Sequence, residues 1–237
     1  MVFVPLHDDA PLRVIRFQLV NGLLLVTNLL IFLYTDYALS EVQLASFATS
    51  VGVVPAVLTD HAVLDPSLVL IPEPMTLLTY MFIHADWMHL LSNMLFLWVF
   101  GDNVEDAYGH LGFLVFFLVC GIAAGLIHAL MFPNSQMPLI GASGAVSGVL
   151  AAYLVLFPHS RVWILLFMRL PIKIPASIVL VGWLLLQIAS LVLTEVDSEG
   201  VTVAWWAHIG GFGTGLLITY ALRNRLRERL APRLNRA

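Results

Sequence analysis

The stretch GASGAVSGVLAAYLVLF, Gly141 to Phe157, decides how the rest of the chain is to be read. From Ser143 to Phe157 it runs through small and apolar residues, and Pro158, His159 and Arg161 close its far end. A helix of about 15 residues rises roughly 22 Å, short of the roughly 30 Å hydrocarbon layer of a bilayer. With the charged end fixed at one surface, the missing length falls at the other, which places Ser143 about 8 Å below the outer face. Residues 134–141 then dip inward to meet it. Non-helical backbone at that depth requires protein cover or water, so a water-accessible cavity around Ser143 is expected.

The whole chain fits a lipid solvent. Its 237 residues are 60% hydrophobic and 11% charged, with a mean hydropathy of +0.92, which excludes an ordinary soluble domain. Six spans are expected, at about 14–34, 86–105, 111–131, 143–157, 176–194 and 203–222. The first run lacks a cationic leader and a small-residue cleavage site, so it reads as a retained helix. The lone Cys120 allows no intrachain disulfide. Residues 35–86, rich in both apolar side chains and proline, are expected to lie in the outer interface, helical from Glu41 to Ser50.

All 11 basic residues fall at one set of segment ends. Arg13 and Arg16 precede the first span, Arg161, Arg169 and Lys173 lie between the fourth and fifth, and six arginines follow the sixth. The positive-inside bias puts both termini in the cytoplasm, which an even number of crossings requires. The basic tail, 223–237, is expected to anchor to anionic lipid, with no nucleic-acid partner. Without repeats or a polar linker, the chain 1–237 reads as a single all-α, polytopic membrane domain.

Peptide hydrolysis by a serine needs a base within hydrogen-bond reach and donors aimed at the developing oxyanion. Ser143, between Gly141-Ala142 and Gly144, stands where a loop enters a helix, with free backbone N–H groups beside it. An N-cap role suits that position equally. His208, in AHIGGFGTG (Ala207 to Gly215), shares its helix face with Gly211 and Gly215, while span four carries Gly144 and Gly148 at the same interval. Small-xxx-small faces let membrane helices approach closely, and packing these two would bring Ser143 and His208 together. By rise per residue His208 lies about 9 Å deep, close to the depth of the serine. An intramembrane histidine is a functional-site candidate in its own right.

A third element, HADWMHLLSN (His84 to Asn93), places His89 and Asn93 one turn apart on span two, where they can offer two donors to an oxyanion; the Ser143 amide offers a third. A metal site is disfavoured. His84 and His89 are five residues apart with no glutamate nearby, unlike the i, i+4 pairs of zinc peptidases.

Together with GDNVED (Gly101 to Asp106), these motifs resemble the rhomboid family of intramembrane serine proteases over about 76–222. The resemblance implies a six-transmembrane-helix bundle with this core, Ser143 as nucleophile, and His208 as general base without a third acidic member. It also implies that His89, Asn93 and the Ser143 amide hold the oxyanion, that His84 borders the site together with Gly141 and Gly144, and that Glu105 is structural. No metal or cofactor is implied, and the substrates are single-span membrane proteins, cut in or beside their helix. A catalytically inactive relative that binds transmembrane helices is the alternative. An integral protein of a prokaryotic plasma membrane is expected. Two departures stand out. Met75-Thr76 replaces a Trp-Arg pair found in some members, and Ser147 stands where some carry an aromatic ring beneath the histidine. What orients His208 is left open by the sequence.

Overall fold

The apolar runs form helices because a helix satisfies its own backbone where water is absent. The computed structural model describes residues 3–193 and 204–231. Its helices are α1 (Leu19–Ala38), α2 (Glu41–Val51), α3 (Pro55–Leu58), α4 (Glu73–Thr79), α5 (Trp87–Tyr108), α6 (His110–Met131), α7 (Ser143–Leu156), α8 (Ala176–Leu193) and α9 (Trp205–Leu230). Of these, α1, α6 and α8 are long and apolar enough to cross a membrane. Helix α7 is apolar but has only 14 residues. Helices α5 and α9 carry charge at their C-terminal ends, Asp102, Glu105 and Asp106 on one and a row of arginines on the other. Rows of exposed apolar side chains run along α1 (Leu19, Leu23, Leu30) and α8 (Ile178, Leu185, Val192), surfaces suited to lipid rather than water.

Helix α7 is the axis of the bundle. Its residues from Gly144 to Tyr153 are buried without interruption, and α5, α6 and α9 surround it. Small residues allow this. A methyl group at Gly211 of α9 would overlap the Gly144 carbonyl, and one at Gly215 would overlap the Gly148 carbonyl. On another side, a methyl group at Gly148 would lie 2.5 Å from Cys120 Sγ of α6. The α7 and α9 backbones therefore touch directly, as small-xxx-small packing requires.

Several boundaries differ from the sequence reading for identifiable reasons. The first helix starts at Leu19 rather than near residue 14, because the buried Asp106 carboxylate accepts the amides of Arg13, Val14 and Ile15. The equally buried Glu105 then caps α1, accepting from the amides of Val20 (2.9 Å) and Asn21 (2.8 Å). Helix α9 runs on to Leu230, so the first residues of the basic tail are helical and docked: Arg227 donates to the Val155 carbonyl (3.0 Å) and Arg229 to that of Tyr108. Helix α2 begins with a capping box between Ser40 and Gln43 and spans the segment read as helical.

The all-α expectation misses a small antiparallel sheet in the order β1-β2-β3, formed by β1 (Phe3–Asp8), β2 (Arg161–Leu166) and β3 (Leu170–Pro175). In β2, Val162 and Ile164 face inward while Arg161 and Trp163 face out. Phe167 and Met168 form the hairpin turn with left-handed backbone, φ 50° and 59°. The sheet is tied to the bundle through Tyr153, whose hydroxyl donates to Asp8, a carboxyl pushed up from its ordinary range by burial. The Arg161 amide donates to Asp9, with Lys173 alongside, and together they hold that carboxylate below its ordinary range. The basic residues and the sheet thus share one end of the bundle. Ser143 and His208 sit at the other.

Candidate active site

Helix α7 begins at Ser143, and its N-cap is Ala142, which makes no side-chain cap. The serine hydroxyl is thereby free of the N-cap role and meets His208 instead: Oγ lies 2.8 Å from Nε2. Both residues are half-buried. Their proximity follows from the backbone contact of α7 and α9, since Ser143 immediately precedes Gly144, whose carbonyl touches Gly211, and His208 lies three residues, about one turn, before Gly211. Ser147 is buried and donates to the Ser143 carbonyl at 2.6 Å, bracing the first turn of α7 rather than supporting the imidazole.

The imidazole is held from α8. Its Nδ1 is 2.8 Å from Oε1 of Gln187, a side chain only 8% exposed. Trp183, one turn earlier on α8, lies 6.0 Å from the ring, and Trp205 approaches it edge-on at the same centroid distance. The sequence reading passed over Gln187. The signal was a lone amide in an otherwise apolar helix, where a polar group needs a partner.

The facing wall comes from the N-terminal part of α5 and the loop that precedes it. Asp86 caps α5 by accepting from the His89 amide at 2.8 Å. Asn93 is buried, and its side-chain amide donates to Nε2 of the fully buried His84 at 3.1 Å. An asparagine amide carries two N–H donors, so one remains for another acceptor. The rings of His84 and His89 meet edge to face at 5.0 Å. Gly141 joins this wall to the serine. Its φ of 111° favours glycine, and a methyl group there would lie 2.5 Å from His89 Nε2 and 3.7 Å from Asn93 Nδ2. The approach to Ser143 is fixed by the amide of Gly141, which donates to the Tyr80 carbonyl at 2.8 Å, and by pairing of Leu139 with Val53. Protein thus covers the irregular backbone of 139–141.

The structure therefore brings the three sequence elements close together: the Ser143 hydroxyl meets the His208 imidazole, and Gly141, two residues before the serine, packs against His89 and lies near Asn93. Among the described residues, no three His, Cys, Asp or Glu side chains converge in a way that would hold a metal ion. Such an array suits acyl transfer: a nucleophile hydrogen-bonded to a base, the base oriented by a third group, and donors nearby.

Residues 72–225, more than half of the chain, match the family model described as Rhomboid domain. Among curated proteins, the chain is similar to Rhomboid-like protein 11, chloroplastic, of Arabidopsis thaliana, 42% identical over 31% of this chain and 26% of that protein. It is similar to Rhomboid protein 1, mitochondrial, of Saccharomyces cerevisiae, 28% identical over 66% of this chain and 44% of the relative. The Rhomboid protease GluP of Bacillus subtilis is 34% identical over 67% of this chain and 28% of its own length. The chain therefore corresponds to less than half of each relative.

Proposed function

The chain belongs to the rhomboid family, and from that premise we propose that it is an intramembrane serine endopeptidase. The observation that carries the reading is the 2.8 Å contact between Ser143 Oγ and His208 Nε2. In this mechanism His208 takes the Ser143 proton as the hydroxyl attacks the scissile carbonyl. His89, the free N–H of Asn93 and the Ser143 amide stabilise the oxyanion. The imidazolium then protonates the leaving amine, and water, deprotonated by the same base, releases the acyl-enzyme.

This reading takes the chain across the membrane six times, a count supported by the long apolar helices and the charge distribution. The end that carries the sheet and the arginines faces the cytoplasm with both termini, and the dyad opens toward the opposite face. The substrates are single-span membrane proteins, cut where the helix unwinds, and the membrane is the plasma membrane of a prokaryote. No nucleic acid takes part.

The test uses the purified protein in proteoliposomes with a panel of single-span substrates. Ser143→Ala is expected to lose nearly all cleavage, and a fluorophosphonate is expected to label the parent but not the variant. Undiminished cleavage by Ser143→Ala would remove the nucleophile assignment. A parent that neither cleaves nor labels would leave the helix-binding, non-catalytic alternative.

A further inference from the structure

We propose that Gln187 is a positioning residue of the dyad: it selects the reactive tautomer of His208 and makes catalysis depend on α8 being seated against α9. The inference rests on the protease reading. The hydrogen-bond logic is short. With the Gln187 amide turned so that Oε1 lies 2.8 Å from Nδ1, the carbonyl oxygen can only accept, and this arrangement pairs with a proton on Nδ1. In a neutral imidazole Nε2 then carries the lone pair, and it faces Ser143 Oγ at 2.8 Å. The opposite tautomer would point an N–H at the serine and would require the Gln187 amide to turn and offer its N–H to Nδ1. A base that must receive the serine proton needs the first arrangement.

Packing gives the second argument. The buried residues of α8 are Ala176, Val179, Leu180 and Gln187. Beyond Leu180, then, Gln187 is the one buried side chain in the described part of this helix, while Leu185, Leu186, Ile188, Val192 and Leu193 around it are exposed. Apolar packing does not account for a buried amide there, because apolar neighbours gain nothing from it. Its partner does. Trp183, four residues earlier, lies on the same helix face and also approaches His208, so the site-facing stripe of upper α8 consists of one ring and one acceptor directed at the imidazole.

The chemical consequence differs from that of an aspartate. An amide carbonyl orients the imidazole and favours the Nδ1 proton through its dipole, yet it carries no charge and takes up no proton. It also belongs to a helix other than those that bear the nucleophile and base. Any displacement of upper α8 removes the acceptor and frees the imidazole to change tautomer or rotate.

The experiment compares the parent, Gln187→Leu and Gln187→Glu in proteoliposomes. It measures kcat and KM on a transmembrane substrate, together with nitrogen NMR of His208 in ring-labelled protein. The parent is expected to show a protonated Nδ1 and an unprotonated Nε2. Gln187→Leu is expected to lose roughly tenfold or more in kcat with little change in KM, and to show mixed tautomers. Gln187→Glu, which keeps an acceptor, is expected to retain the parent tautomer and to recover most of the rate. A parent with the proton on Nε2 overturns the proposal without any variant. So does a Gln187→Leu protein that keeps parent kcat and tautomer while melting lower, since that is the behaviour of packing alone. A parent that neither cleaves nor reacts with a fluorophosphonate sinks the protease reading instead, and the tautomer measurement, which needs no turnover, keeps the two failures apart.

Discussion

Near the site, α7 packs on α9 and α8 packs on that pair in opposite ways. The α7–α9 pair touches backbone to backbone, with Gly144 against Gly211 and Gly148 against Gly215 leaving no space for a methyl group. Helix α8 is held at its lower end by Ala176, Val179 and Leu180, and higher up by Gln187. It even contains a glycine, Gly182, with nothing within 4 Å of the position a Cβ would take. Ser143 and His208 are thus mounted on the closely packed pair, while Gln187, which contacts His208, is mounted on the more exposed helix. Close packing suits atoms that must stay within hydrogen-bond reach, and under the proposed protease reading sparse packing suits an element past which a substrate would move.

The sharpest way to break this contrast is Gly211→Ala. The new methyl group would overlap a backbone carbonyl, which no rotamer change relieves, so α7 and α9 must separate. A shift of about 1 Å in the dyad is expected to cost on the order of a hundredfold in kcat/KM, with a marked fall in melting temperature. A variant with parent activity and melting would show that the two helices have slack. Next comes Asn93→Ala, on the third wall of the site. Loss of one oxyanion donor is expected to lower kcat by about a hundred- to a thousandfold while KM stays near the parent value, with a smaller melting shift than Gly211→Ala. Equal losses in binding and rate would place Asn93 in substrate contact instead.

Smaller effects sharpen the contrast from the other side. Leu180→Ala, at a fully buried anchor of α8, is expected to destabilise by an amount near the low end of the roughly 2–5 kcal/mol known for buried leucines, because surrounding lipid can follow the helix. An unchanged melting temperature would mean that α8 is anchored elsewhere. Smallest of all is Gly182→Ala, expected to leave cleavage unchanged and to hold or slightly raise the melting temperature, by at most about 1 kcal/mol of helix propensity. A clear loss of activity there would show that α8 packs more tightly than its exposed face indicates.

The parts of the molecule that were legible in the sequence are those set by short-range rules. Apolar runs give helices, and the four-residue spacing of Gly144 and Gly148, matched by Gly211 and Gly215, gives the contact that brings Ser143 to His208. What escaped depends on partners distant in sequence. Asp106 delays α1 by accepting three amides more than ninety residues away in sequence, which nothing local to Arg13 or Ile15 announces. The strand β2 did carry an alternating pattern, Arg161-Val162-Trp163-Ile164, but six residues between two membrane helices read as easily as a loop until β1 supplies a partner. Gln187 needed the reverse inference, from a polar residue that had no business in lipid to the imidazole that gives it one.

The adjacent carboxylates of Glu105 and Asp106 bear on how the protein can be trimmed. Both are buried, and between them they hold five backbone amides from Arg13 to Asn21. Shortening the chain past Ile15 to obtain a neater sample for crystallisation would remove all three amides that Asp106 accepts and strand a buried carboxyl group at the foot of α5, a defect far costlier than the few residues removed. Even a cut at Pro11-Leu12, just ahead of the first captured amide, removes β1 and the Asp8 carboxyl that accepts from Tyr153, so the amino-terminal residues are fastened at both ends of this stretch.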